Sequence, residues 1–168
     1  MTSASQPRLG TRLLYGGIAG FAATMVMTSV MARLHRRLPE PERYPLPPRE
    51  ITEQVTGGGD SGVRDQAMVA HFLYGAACGA MLAAPRGQRG IAGGATAGAA
   101  IWAGSYFGWV PGFQILKPAS AHPLRRNALM ISAHLVWGAA TAAAISELSL
   151  AGRTMLRAGP LRDAARKP

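Results

Sequence analysis

Half of this 168-residue chain carries no charge, and that half comes in four unbroken pieces. No Asp, Glu, Lys or Arg occurs in residues 13–32, 66–85, 91–114 or 127–146, windows of 20, 20, 24 and 20 residues. An α-helix needs about 20 predominantly apolar residues to cross about 30 Å of hydrocarbon. A helix on a soluble domain shows a polar stripe with charges every turn or so, and these windows show none. The pattern predicts an all-α, polytopic membrane protein. Its four-transmembrane-helix bundle would use helices at about 12–34, 66–85, 91–110 and 125–148, in a single integral membrane domain over 1–168. A soluble Ala-rich domain is the alternative. Its four buried helices would need amphipathic ones to cover them, and the rest of the chain is too short.

The charge balance fits a bilayer. There are 18 Lys+Arg against 8 Asp+Glu, a net charge of +10. On a soluble chain that excess would suggest nucleic acid. Here every basic residue falls outside the four windows, so the lipid bilayer is the expected partner and nucleic acid is not. Mean hydropathy is only +0.09, because the windows are built from Ala and Gly and the loops are rich in Arg. One cysteine, Cys78, excludes an intrachain disulfide and a thiolate-rich zinc site. Arg8 and Arg12 before the first window resemble a signal-peptide start. Its apolar stretch is longer than the usual 7 to 15 residues of such a segment, so a retained helix is expected. Nine basic residues fall on each side of the expected bundle, which leaves the positive-inside rule tied. The compact basic tail 151–168 inclines both termini to the cytoplasm.

The loop 35–64 is the one sizeable segment outside the windows. Five prolines between 39 and 48 predict an extended, polyproline-like run. After it, Ile51 and Val55 lie four apart, with Glu50, Glu53 and Gln54 off that stripe, which predicts a short interfacial amphipathic helix. Gly57-Gly58-Gly59-Asp60-Ser61-Gly62 reads as a flexible connector, not a phosphate loop. The second and third windows are joined by only about five residues, so those two helices are expected to pair as a tight hairpin.

Helices in lipid associate through small residues. Each window carries such a seam: Gly16, Gly20, Thr24 and Thr28; Gly75 and Gly79; Gly90, Gly94 and Gly98, then Gly104 and Gly108; Gly138 and Ala142. Intramolecular packing is the expected use, and homo-oligomer contact is the alternative. Tyr106 and Trp109 suit a headgroup belt, while Trp102 is placed deeper, against a neighbour.

Two histidines fall inside the windows, His71 and His134. Their helices cross in the same direction, which puts the two rings within about 3 Å of one another in depth. Asn127, His134, Gly138 and Thr141 share one helix face. Each histidine can serve as neutral polar glue between helices. The pair can also line a pocket for a small ligand or protons, or hold haem b by two imidazoles. No third intramembrane His, Asp or Glu supports a metal. Beside this candidate site, Glu50 and Glu53 are expected to pair with Arg49 or with Arg125 and Arg126 as exposed, solvated contacts; a salt bridge that closes a lid over His71 and His134 is the alternative. No Gly-x-Ser-x-Gly, His-Glu-x-x-His or paired intramembrane carboxylates occur.

Two strings carry a resemblance. Pro45-Leu46-Pro47-Pro48-Arg49 and Ala133-His134-Leu135-Val136-Trp137 resemble segments of YagU-like bacterial inner-membrane proteins. Tyr44 to Thr52, His122-Pro123 and Arg125-Arg126-Asn127 resemble related small proteobacterial membrane proteins. The resemblance implies a multi-pass inner-membrane protein, supplies no established reaction, and draws attention to Arg49 and His134. The leading expectation is a non-enzymatic structural or accessory protein without a cofactor, in contact with a second copy or a membrane-protein partner. A small-molecule, proton or ion-handling protein and a haem b electron carrier are the alternatives.

Overall fold

The computed structural model is all-α and describes residues 7–57, 60–85, 87 and 89–159. Gly58, Gly59, Arg86 and the end of the basic tail lie outside the described residues. Five helices follow in order: α1 Leu9–His35, α2 Pro47–Thr56, α3 Asp60–Ala83, α4 Ile91–Gly104 and α5 Leu124–Arg153. Three helical stretches are long and apolar enough to cross a membrane: Leu9–His35, Gly62–Ala83 and Leu124–Arg153. Along α1, Leu14, Ile18, Phe21 and Met25 face outward. On α3, Met68, Val69, Leu73 and Met81 do the same. Contiguous exposed apolar surface of this kind is foreign to a soluble monomer.

The third window, 91–114, departs from expectation. α4 has 14 residues, and a wider π turn then takes over at Ser105–Trp109. One last helical turn follows at Val110–Gly112. Pro111 has no N–H for the turn before it, and its ring crowds that turn. The chain responds by shifting register, with Val110 N–H bonded to Ser105 O.

The pairing of helices also corrects the sequence reading. α1 packs on α3, α5 on α4, and α1 on α5. α3 and α4 are adjacent in sequence but make only sparse contact. Glycine positions explain this. A Cβ on Gly20 would meet the Gly75 carbonyl oxygen, and one on Gly79 would meet that of Gly16. In the other pair, a Cβ on Gly138 would meet Gly94 O, and one on Gly98 would meet His134 O. The register is antiparallel in both pairs, because position rises on one helix as it falls on the other. Without side chains the backbones come into direct contact, the small-residue mode of helix association. Gly104 and Gly108 have nothing within 4 Å of where a Cβ would stand. They belong to no seam: Gly104 lies off the face that carries Gly94, Gly98 and Trp102.

The two pairs join through bulkier groups. Trp137 on α5 is 3% exposed, and its Nε1 donates to Gly20 O and Thr24 Oγ1, each at 3.2 Å. Thr24 in turn donates to Gly20 O at 2.7 Å.

The proline run is not simply extended. A 3-10 turn forms at Glu40–Glu42, and Pro47 and Pro48 open α2. Proline suits a first helical turn, where its missing N–H has no intrahelical partner to lose. Gly57 ends α2 in the left-handed region, at φ 61°.

Candidate functional site: a roofed cavity between the helix pairs

A cavity of about 250 Å³ lies between the α1·α3 pair and the α4·α5 pair. α2, packed on α3, forms its roof with Pro47, Pro48, Ile51 and Thr52. The expected stripe of Ile51 and Val55 is thus split: Ile51 faces the cavity, while Val55 is 66% exposed. The inward face of α2 is instead Pro47, Pro48, Ile51 and Thr52, because Thr52 buries its hydroxyl by donating to Pro48 O at 2.8 Å.

His71 and His134 both line this cavity. The His134 Nδ1 lies 2.8 Å from Met130 O. A carbonyl only accepts, so Nδ1 carries the proton and the neutral ring keeps a lone pair on Nε2. The His71 Nε2 and the Tyr106 hydroxyl, both buried, have no hydrogen-bond partner. Tyr106 is 5% exposed and stacks on Trp102 with ring centroids 5.8 Å apart. It therefore stands inside the protein, not at its outer surface, four residues after buried Trp102 on the same helix face. Trp109, at 38% exposure, is the outward aromatic of the two. Cys78 completes the wall as a buried free thiol.

One polar knot closes the side where α3 and α4 part. Ser105 donates its single hydroxyl proton to Ile101 O at 2.8 Å. Its oxygen then accepts from Tyr74 OH at 3.0 Å and from Trp109 Nε1 at 3.3 Å. All three of its hydrogen-bonding sites are used.

Arg49, Glu50, Glu53 and Asn127 do not line the cavity. Arg49 and Glu53 pair with each other at 3.5 Å across one turn of α2, both partly exposed. Asn127 donates to Ala119 O at 2.7 Å and holds the loop before α5 instead of extending the His134 face. The Glu50 carboxyl is raised above its ordinary value of 4.5. Partial burial disfavours its charge, and nearby Arg126 and His122 offset only part of that.

The roof is tied down by Arg126, and not by a carboxylate. Arg126 is 3% exposed. Its Nη1 donates to Glu42 O at 3.0 Å and Tyr44 O at 2.9 Å, and its Nη2 donates to Pro45 O at 2.8 Å. The guanidinium also sits 3.4 Å from the Tyr44 ring centroid. A proline-rich segment carries more carbonyls than N–H donors, so a buried one needs donors from elsewhere. The planar fork of an arginine supplies several at once, which a lysine does not. His35 and Arg43 add two more such bonds, to Tyr44 O and Leu38 O. The signal was present in the sequence as a proline run and an arginine pair far downstream.

Among the described residues, no group of three His, Cys, Asp or Glu is placed to hold a metal. The sequence matches no protein-family model and no curated protein, and no solved structure matches the chain.

Proposed function

We propose that this chain is a multi-pass protein of a bacterial inner membrane, and that the roofed cavity binds a small, largely apolar molecule bearing one or two hydrogen-bonding groups. In this reading the segment from Ile91 to Gly112 is the third of four crossings, irregular only where it borders the cavity. The carrying observation is the set of polar atoms left open in an apolar wall: His71 Nε2, the Tyr106 hydroxyl and the His134 Nε2 lone pair. Buried polar groups are ordinarily satisfied, and a pocket with a few convergent polar groups is the usual form of a ligand site. The volume is just under the usual range of about 300–1,000 Å³ for such sites, so the molecule is small. A haem macrocycle is larger than the cavity as it stands. The two strings that resemble YagU-like proteins meet here, through Pro47, Pro48, His134 and Trp137, which supports membership of that group.

The test uses the full chain in detergent with 15N-labelled histidine and p-cresol as the probe. Saturable shifts of the His71 and His134 imidazoles, with His35 and His122 still, are expected. Ile51→Trp, which fills the cavity from its roof, should abolish them. Equal movement of all four rings, or none, sinks the proposal.

A further inference from the structure

A second cavity, of about 360 Å³, opens at the opposite end of the same interface, and no part of the reading above uses it. Its floor is small and apolar, with Gly94, Gly138 and Ala142 among the lining. Its rim is basic. Arg12 comes from α1, Arg89 from the segment before α4, and Arg153 from the last turn of α5. Tyr15 and Ser149 stand beside them, and no lining residue is acidic. The Arg12 Nε is buried without a hydrogen-bond partner. Among the described residues, none of the three arginines is in a salt bridge.

Three guanidinium groups brought to one cavity from three separate segments repel one another. Nothing in the lining offsets that repulsion, and one arginine has an unmet buried donor. An anion resolves both conditions. Guanidinium forks match the oxygens of a phosphate two at a time, and basic pockets between helices at the membrane surface suit phospholipid headgroups. We propose that this cavity binds a phosphate oxyanion through Arg12, Arg89 and Arg153. Tyr15 adds a hydroxyl at the rim, and the small-residue floor admits the adjoining part of the ligand. An anionic lipid headgroup and a free phosphate share this chemistry. The lipid source rests on the membrane reading given above, whereas the free-phosphate source does not.

The experiment follows the thermal midpoint of the purified full chain in a neutral detergent. Three additions are compared: inorganic phosphate, dioleoylphosphatidylglycerol and dioleoylphosphatidylcholine. A saturable rise with phosphatidylglycerol alone identifies a lipid headgroup. A rise with inorganic phosphate as well identifies the free anion. In either case Arg12→Gln and Arg153→Gln should each weaken the effect about tenfold, the scale of one charge-assisted hydrogen bond. Arg12→Lys should retain part of it. Arg125→Gln, an exposed position at the other end, should leave it unchanged. Arg153 is exposed at a helix end, so its variant reports even if Arg12→Gln fails to fold. Equal stabilisation by the two lipids, no rise with any addition, or unaltered response in Arg153→Gln overturns the proposal. The p-cresol response of the histidines should survive Arg153→Gln, which keeps the two sites distinguishable.

Discussion

Two kinds of helix contact hold this protein together, and they differ in what they leave behind. Within each pair, Gly16, Gly20, Gly75 and Gly79, or Gly94, Gly98 and Gly138, bring backbone against backbone. Only small side chains reach into these seams: Ala83 at Gly16, Thr24 at Gly75 and Ala142 at Gly94. Between the pairs, Trp137, Tyr106 and Tyr74 keep the helices apart, and each end of that interface holds a cavity. Glycine decides which helices touch, while aromatic residues decide where volume stays open. The polar groups follow the same division: the open histidine and tyrosine atoms and the arginine rim all lie between pairs, never within one.

The sharpest way to break the comparison is to put a side chain into a seam. Gly79→Leu should leave no folded protein, because the Gly16 carbonyl already occupies the site of the Cβ. Gly79→Ala should cost about 3 kcal/mol, the upper end of overpacking. Gly104→Ala is the control. Nothing lies near its Cβ site, and helix propensity alone should then stabilise by about 1 kcal/mol. Opposite signs at two helical glycines, read as thermal midpoints in detergent, identify the seams. Equal signs would mean that the pairs are not zipped this way.

Arg126 belongs to the interface between pairs and to its roof. Arg126→Ala removes three hydrogen bonds to loop carbonyls and leaves Glu42 O and Pro45 O without a donor, while Tyr44 O keeps His35; this should cost about 3 kcal/mol. Arg126→Lys should recover only a minor share, since an ammonium cannot reproduce the fork. Limited proteolysis between 36 and 46 is the second readout: cleavage should quicken there first. A uniform loss of stability, with no preference for that loop, would place Arg126 outside the role assigned to it.

Trp137→Phe tests the junction more gently. It keeps the apolar bulk and removes the bonds to Gly20 O and Thr24 Oγ1. A loss of about 1 kcal/mol is expected, typical of one or two interhelical hydrogen bonds. The seams should stay intact, so crosslinks between cysteines placed on α1 and α3 should be unaffected.

These contrasts mark what was legible in the sequence. Charge-free windows showed the all-α class and the three long apolar helices, because charge is the costliest thing to place there. Glycine spacing gave the seam positions but not their partners. A short loop suggested α3 with α4, yet complementary glycines outweighed chain proximity. The histidines were visible as polar residues in apolar windows, and the structure brings them to one cavity. Tyr106 was misplaced because its nearness to the helix end was weighed above its spacing: it lies four residues after Trp102 and eight after Gly98, on the buried face. Arg126 was read as a partner for carboxylates. Its partners are backbone carbonyls, which have no sequence signature beyond the prolines that lack donors.

The smallest effect concerns Glu50, and its sign can be worked out. The folded carboxyl has its pKa raised above the ordinary 4.5, by burial first. A raised carboxyl binds its proton more tightly in the folded state than in the unfolded one. Above the raised value the charged group therefore detracts from stability. As pH falls from neutrality through that value towards 4.5, the contribution of Glu50 turns less unfavourable. Below 4.5 it levels off, because both states are then protonated. Glu50→Gln removes this one dependence and leaves every other titration in place. The difference in thermal midpoint between variant and wild type should therefore be largest near neutral pH, in favour of the variant, and should shrink on acidification. Because Glu50 lies beside Arg126 and on the roof helix, the same pair of proteins should differ in proteolysis between 36 and 46 and not within the glycine seams. A midpoint difference that grows as pH falls would reverse the sign, and would mean that Arg126 and His122 hold the Glu50 charge more firmly than burial opposes it.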